Sequence, residues 1–313
     1  MKYKILYLTY LPQIGGGETI LLSLLSKLDR KLFEPIVVMP KRGQLYKKLQ
    51  DLKIKAYVLP LNGYLIRTLF IPGMSPVSTY QFFKLVQKIK PDLIHLNHLN
   101  LAVYAGIAAK LLKVLPAGRQ VPTVATAHGS WDSVYLYQDF ISNIFIDKIL
   151  ANTSELKTHL LKRKIINPKK IDIIYFGIDT SKFLPASTAA KRQAKQKFGF
   201  TTSDFVITIV GRLDPAKDHL TFLKAAQIVQ KPLKDAKFFI VGSNLGNFSS
   251  AGDYHLQIKR FLKHHHELAE KIFFGGFIED MPAVYNATDI LVSTSPRESF
   301  GLAMAEAAAC ALP

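Results

Sequence analysis

Short apolar runs alternate with longer amphipathic stretches along the whole chain, which is the pattern of repeated strand–helix units built on parallel sheets. Apolar runs at Lys4–Thr9, Pro35–Met39, Ala56–Leu59, Leu93–Leu96, Thr123–Ala127, Lys148–Ala151 and Asp172–Tyr175 predict a first set of strands. Helical spacing lies between them at Thr19–Leu28, Tyr80–Ile89, Leu101–Leu115 and Ser154–Lys164. Ser187–Lys197 is polar and basic without an apolar period, which suits an exposed linker helix. A second alternating series then begins, with strands predicted at Phe205–Val210, Phe238–Val241, Ile272–Phe274 and Ile290–Ser293. Its helices are expected at Leu220–Val229, Tyr254–Leu268, Met281–Asn286 and from Leu302 onward. The predicted architecture is α/β: two Rossmann-like doubly wound domains, residues 1–183 and 204–313, joined by a linker over 184–203. The second domain shows only four strands before Pro313, so it reads as incomplete and the chain as C-terminally truncated.

Composition sharpens this picture in three ways. With 313 residues and 49% hydrophobic content there is enough apolar material for two full cores. Cys310 is the single cysteine, so an intramolecular disulfide is excluded and a reducing, cytoplasmic compartment fits. The N-terminal run from Met1 to Leu11 superficially resembles a signal peptide, but it is short, interrupted by tyrosines and lacks a small-residue cleavage site. It reads better as a first buried strand. No apolar run approaches the ~20 residues that span a bilayer.

A net charge of +18 points to an anionic partner. Nucleic acid fits poorly, because the basic residues lack an interleaved aromatic recognition motif. Lys41, Arg42, Lys47, Lys48, Lys53 and Lys55 cluster ahead of the apolar, aromatic stretch Gly63–Pro72. This region is expected near the mouth of an acceptor site and against an anionic membrane surface. A solvated helix beside a core segment explains the same residues.

The candidate chemistry sits at predicted strand ends. Gly15, Gly16 and Gly17 follow the first strand and precede a helix, so backbone can approach an anion at a helix N-terminus. A third glycine at dinucleotide-fingerprint spacing is missing, and a plain tight turn accounts for the run equally. His128 ends the strand Thr123–Ala127, at the edge where ligands of open α/β sheets gather, although a lone histidine is more often structural. His95 and His98 end another strand and could line the same cleft. Arg212 and Lys217 lie on the loop after Phe205–Val210, where a guanidinium fork and an ammonium suit a diphosphate. The stretch from Ser295 to Glu306 follows the last strand and opens a helix through Gly301. It carries Glu298 and Glu306, carboxylates that suit the hydroxyls of a nucleotide-sugar better than phosphate alone. His264, His265 and His266 are consecutive on a predicted helix and diverge too far to share a metal. There is no Asp-x-Asp pair to hold a divalent cation on a diphosphate.

Together these motifs resemble the retaining family 4 glycosyltransferases of GT-B fold, over nearly the whole chain. The resemblance is carried in order by Gly15-Gly16-Gly17-Glu18, by Thr126-Ala-His128-Gly129 and by Tyr175-Phe-Gly-Ile-Asp179-x3-Phe183. It continues through Gly211-Arg212-Leu213-x3-Lys217-Asp218, Phe273-x2-Gly276-Phe277 and Glu298-x-Phe300-Gly301-x4-Glu306-Ala307. It implies two domains facing a cleft, acceptor on the first and a UDP- or GDP-sugar on the second, with no metal and no other cofactor.

Residue by residue, the resemblance implies that Arg212 and Lys217 bind the donor diphosphate and stabilise the leaving nucleotide. Ser299, Phe300, Gly301 and Leu302 would hold phosphate at the helix N-terminus, Glu306 the ribose hydroxyls, and Glu298 the transferred sugar. Gly16 and Gly17 would approach the diphosphate, and His128 the sugar ring. The implied reaction is a front-face displacement with retention, onto a glycan or lipid-linked acceptor, in cell-envelope or exopolysaccharide synthesis and peripheral to the inner membrane face. An inactive fragment, or a nucleotide-binding partner of an active transferase, is the alternative. One departure stands out: Ala311 occupies the place where the family usually has glycine, so the turn there is expected to be strained.

Overall fold

The structure is a computed structural model that describes residues 2–60, 76–102, 106, 108, 109, 121–129, 136–162, 164–243 and 249–313. The apolar stretch Gly63–Pro72 and most of Leu101–Leu115 lie outside the described residues. The chain divides into two compact units, Met1–Phe176 and Gly177–Pro313.

The first unit runs β1 (Tyr3–Leu8), α1 (Gly16–Lys27), β2 (Phe33–Met39), α2 (Gln44–Asp51), β3 (Lys55–Val58), α3 (Pro76–Ile89) and β4 (Leu93–Leu96). It continues with β5 (Thr123–Ala127), α4 (Leu136–Phe145), β6 (Lys148–Ala151), α5 (Ser154–Leu161) and β7 (Ile171–Ile173). All seven strands pair in parallel, in the order β3-β2-β1-β4-β5-β6-β7. Leu6, Leu8, Val38, Ile94, Leu96 and Ala125 are buried, as near-continuous apolar strands covered on both faces should be. The strand order reverses between β1 and β4, which are paired with Leu8 beside Leu96. At such a switch point the crossovers leave in opposite directions and open a crevice at the C-terminal strand ends. On the basic cluster, Arg42 lies 5.2 Å over the Tyr46 ring and Lys55 5.3 Å over Tyr57.

The second unit contains α6 (Thr188–Lys197), β8 (Phe205–Val210), α7 (His219–Val229), β9 (Ala236–Val241), α8 (Ser249–Lys263) and α9 (His266–Ala269). Then follow β10 (Ile272–Gly276), α10 (Met281–Ala287), β11 (Ile290–Leu291) and α11 (Leu302–Ala309). Its parallel sheet has the order β10-β9-β8-β11, with the switch between β8 and β11. The last strand is shorter than the apolar run suggests, because only Ile290 and Leu291 pair with β8.

Helix α6 falls within the stretch read as a linker, yet it is tied into the second unit. The Lys195 ammonium, nearly buried, donates to Asp289 Oδ2 and to the Asp204 carbonyl, each at 2.7 Å. This partly buried ion pair helps to anchor the helix, and hydrophobic periodicity gives no sign of it. The three consecutive histidines sit at the break between α8 and α9 and not along one helix. His265 turns back there, its Nδ1 2.7 Å from the Phe261 carbonyl and its ring stacked on that of Phe261.

Helix α11 ends in a Schellman motif. The Leu312 N–H donates to the Ala307 carbonyl and the Ala311 N–H to the Ala308 carbonyl, both at 3.0 Å. This motif turns the residue after the cap into left-handed space, and Ala311 has φ +56°. The strain expected from alanine at this position is therefore present in the backbone. Ala311→Gly should stabilise the protein by about 1 kcal/mol, the relief of left-handed strain less the entropy a glycine adds to the unfolded chain. Thermal unfolding of the variant beside the parent checks this, and an unchanged or lower midpoint would contradict it.

Candidate functional site

At the switch point of the first unit, three strand ends bring together Thr9, Asn97, His98 and His128. Helix α1 begins in the loop after β1, with Gly15 as its cap and no capping side chain of its own. Its third residue, Glu18, supplies the missing acceptor. Glu18 Oε2 receives the Gly15 N–H at 3.3 Å, and Oε1 receives the Thr9 hydroxyl at 3.0 Å. His98 Nε2 lies 3.0 Å and Asn97 Nδ2 3.5 Å from the same Oε1. Glu18 is completely buried. Burial pushes its carboxyl up, but the hydrogen bond and charge of His98, then the Thr9 hydroxyl, bring it below the ordinary carboxylate range.

Gly17 lies against the histidines. A Cβ placed on it would stand 3.1 Å from His128 Nε2 and 3.1 Å from His98 Cε1, so any larger residue there would press on both rings. Gly16, by contrast, faces open space. The rings of His98 and His128 are 4.8 Å apart, and His128 is 5.5 Å from Phe176. Of the two histidines ending β4, only His98 joins this group. The His95 ring lies 2.8 Å from the Thr126 hydroxyl and beside Tyr7, and burial, followed by the neighbouring His128, lowers its pKa to about 4.

In the second unit two loops meet at the switch point, one after β8 and one after β11. Lys217 and Glu298 pair at 2.6 Å, and the Thr294 hydroxyl donates to the carbonyls of Lys217 and Asp218, both at 2.9 Å. Arg212 reaches back to Asp214 at 3.1 Å. Two helix N-termini point their N–H groups at this edge, and they differ. That of α7 is closed: the Asp218 carboxylate accepts from Thr221, and the Tyr254 hydroxyl takes the Leu220 N–H at 3.2 Å. That of α11 has Gly301 as its cap, at φ +74°, with no side-chain hydrogen bond on it. A free N–H cluster with the positive end of a helix dipole attracts an anion. The loop residues Ser299 and Phe300 lead into this cap, and Leu302 is the first residue of the helix.

Glu306 lies one turn further along α11 and is almost fully buried. Its Oε2 accepts the Tyr285 hydroxyl at 2.7 Å. Burial raises the Glu306 pKa, an effect only partly offset by that hydrogen bond and by Lys182. Beside the loop after β8, a cavity of about 390 Å³ is lined by Leu213, Gly242, Ser243, Leu256, Phe274 and Gly276, among others. No group of three metal-ligating side chains occurs among the described residues.

The structure thus brings together two pairs of residues that the sequence singled out separately: Gly17 with His128, and Lys217 with Glu298. Glu306 takes its partner from a different helix, and Arg212 is held by Asp214. The sequence reading missed Glu18 as a buried ligand of His98, Tyr285, Thr294 and the cavity. A glutamate at the third position of a helix already signals capping. Nothing in the sequence announces its burial, or that Tyr285, an apolar-period position of α10, faces a carboxylate.

Residues 14–182 match Glycosyltransferase Family 4, and residues 190–313 match the group 1 glycosyl transferases. An Escherichia coli UDP-Gal:α-D-GlcNAc-diphosphoundecaprenol α-1,3-galactosyltransferase is 29% identical over 326 aligned positions, covering all of this chain and 78% of that protein. A D-inositol 3-phosphate glycosyltransferase of Rhodococcus jostii (strain RHA1) is 30% identical over 171 positions, which are 53% of this chain and 36% of the relative. Among solved structures, Anabaena HepE in complex with UDP-glucose matches with a TM-score of 0.80 at 21% identity, covering 99% of this chain and 79% of that one. The lipopolysaccharide outer core galactosyltransferase WaaB matches with a TM-score of 0.64 at 17% identity, over 99% and 79% of the two chains. These likenesses show the fold, that of the GT-B glycosyltransferases.

The raised pKa of Glu306 carries a stability consequence. Folding favours its protonated form, so stability present at low pH is lost as pH rises through the folded pKa. Glu306→Gln removes the buried charge and keeps an acceptor for Tyr285. Its melting temperature should match the parent's below the ordinary glutamate pKa of 4.5 and exceed it at neutral pH. Thermal melts across that range test this, and a variant less stable at neutral pH would contradict it.

Proposed function

The chain belongs to Glycosyltransferase Family 4, and on that premise we propose that it moves a sugar from a UDP-sugar to a lipid-linked glycan acceptor, with retention at the anomeric carbon and without a metal. The observation that carries this reading is the open N-terminus of α11, set beside Lys217 and Glu298 at the switch point of the second unit. An anion with hydroxyls close by suits that arrangement: the diphosphate meets N–H groups and cations, and the sugars meet carboxylates.

The roles divide accordingly. Arg212 and Lys217 exchange their present carboxylate partners for phosphate oxygens, and they stabilise the charge that grows on the departing diphosphate. The backbone from Ser299 to Leu302 holds phosphate oxygens at the helix start. Glu306, oriented by Tyr285, accepts from the ribose hydroxyls, and Glu298, released by Lys217, accepts from the transferred sugar. The base takes the cavity beside Gly242 and Gly276. For His128 of the first unit the resemblance implies a role at the reacting centre, and for Gly16 and Gly17 a role in donor binding. Positioning and charge stabilisation supply the rate, and the departing phosphate helps to remove the acceptor proton.

The UDP donor is favoured because HepE was solved with UDP-glucose and the E. coli relative is named as using UDP-Gal. That relative's diphosphoundecaprenol acceptor is the reason for placing a lipid carrier on the other substrate, within envelope or exopolysaccharide synthesis. A lipid-linked carrier would be met at a membrane surface; among the described residues no helix is long and apolar enough to cross a membrane. The metal-independent reading leans on Arg212 and Lys217 as the diphosphate's counter-charges.

A thermal-shift screen of nucleoside diphosphates and their sugars tests the donor. UDP and at least one UDP-sugar should raise the melting temperature, with no loss of the effect in a chelator, and indifference to every nucleoside diphosphate would sink the reading. A second prediction separates the carboxylates. Glu306→Ala should weaken UDP binding about tenfold, as loss of hydrogen bonds to a charged group implies. Glu298→Ala should lower turnover while leaving UDP affinity within a factor of about two, the cost of a contact made to the sugar only. Calorimetry and steady-state kinetics on the two variants decide, and equal losses of UDP affinity would refute the division.

A further inference from the structure

We propose that His98 is a positioning residue for His128 and that Glu18 fixes the orientation of His98. The proposal rests on the assignment of His128 to the reacting centre made above.

The first observation is the burial of Glu18. A capping carboxylate needs only to reach the backbone N–H at the helix start, which does not require burial. Glu18 caps Gly15 with one oxygen, yet it is almost entirely shielded from solvent. Its other oxygen faces the Thr9 hydroxyl and His98 Nε2, both at 3.0 Å, with the Asn97 amide at 3.5 Å. Taking a carboxylate out of water is costly unless it is paired and hydrogen-bonded. The surroundings of Glu18 are arranged to hold it ionised and in contact with the imidazole.

The second observation concerns what that contact does to the ring. An ionised carboxylate can only accept, so the proton in the contact belongs to His98 Nε2. The tautomer and tilt of His98 are then set by Glu18, as a carboxylate sets a histidine ligand in a metal site. The His98 ring lies 4.4 Å from Tyr10 and 4.8 Å from His128. Gly17 closes the group, since any side chain there would stand 3.1 Å from both imidazoles. The His98 ring therefore sits between Tyr10 and His128, with the start of α1 beside it. One carboxylate therefore controls the glycine loop through Gly15 and the histidine through His98.

Glu18→Gln and His98→Gln, made in the full chain, test this. Each replacement is close in size and keeps a hydrogen-bonding group, and circular dichroism confirms that each variant is folded. Nitrogen-15 spectra of labelled imidazoles provide a readout independent of activity. In the parent, His98 should be protonated at Nε2. Glu18→Gln should change that signal and also shift the ring resonances of His128. With UDP-galactose and UDP-glucose as donor probes, both variants should lose at least about tenfold in kcat, with the donor KM and the UDP affinity within about twofold of the parent, the pattern of a lost transition-state contact.

Parent-like kcat together with unshifted His128 resonances in both variants overturns the proposal. His128→Ala is run beside them. If that variant loses turnover while Glu18→Gln and His98→Gln keep it, only the positioning role fails. If His128→Ala itself turns over like the parent, the assignment of His128 fails and takes the proposal with it.

Discussion

In a sheet whose strands all run parallel, every loop that leaves a C-terminal strand end emerges along one edge, and the loops part where the strand order reverses. Both units obey this constraint, and both candidate sites follow from it. In the first unit the reversal between β1 and β4 gathers Thr9, Gly17, His98 and His128. In the second, the reversal between β8 and β11 gathers Lys217, Thr294 and Glu298. The residues within each group are up to 119 positions apart in sequence, as Thr9 and His128 are, and parallel pairing is what makes them neighbours.

Each edge also carries a buried carboxylate, and the two have different environments. Glu18 is surrounded by donors, which hold it below the usual carboxylate range despite complete burial. Glu306 has one described hydrogen bond, from Tyr285, and burial wins, so its pKa is raised. The well-supplied carboxylate belongs to the scaffold that fixes a helix start and a histidine ring. The poorly supplied one stores a cost that a ligand with hydroxyls can relieve. The two helix N-termini of the second unit show the same contrast: that of α7 is closed by Asp218 and Tyr254, and that of α11 is left open at Gly301.

The strands were legible from sequence because a strand buried on both faces has to be continuously apolar, and each unit's runs appear in the sheet nearly where they were expected. Helix α6 lies where a polar, exposed helix was expected, but its tie to the second unit through Lys195 and Asp289 was not legible, since periodicity detects only apolar faces. The strain at Ala311 was foreseeable because it depends on one residue and one turn. Lys217 with Glu298, and Gly17 with His128, were named as site residues from their loops, but their contacts could not be. Sequence spacing says nothing about which loops share an edge.

What the sequence determined by itself was therefore local: apolar runs, glycine-bearing helix starts, the charged loops and their family likeness. The tertiary structure alone decided which carboxylate pairs with which cation, that Glu18 is buried against His98, and that Tyr285 orients Glu306. The reason is physical. Secondary structure and turns are fixed by neighbours in the chain, whereas the state of a buried charge is fixed by donors that distant strands bring to it.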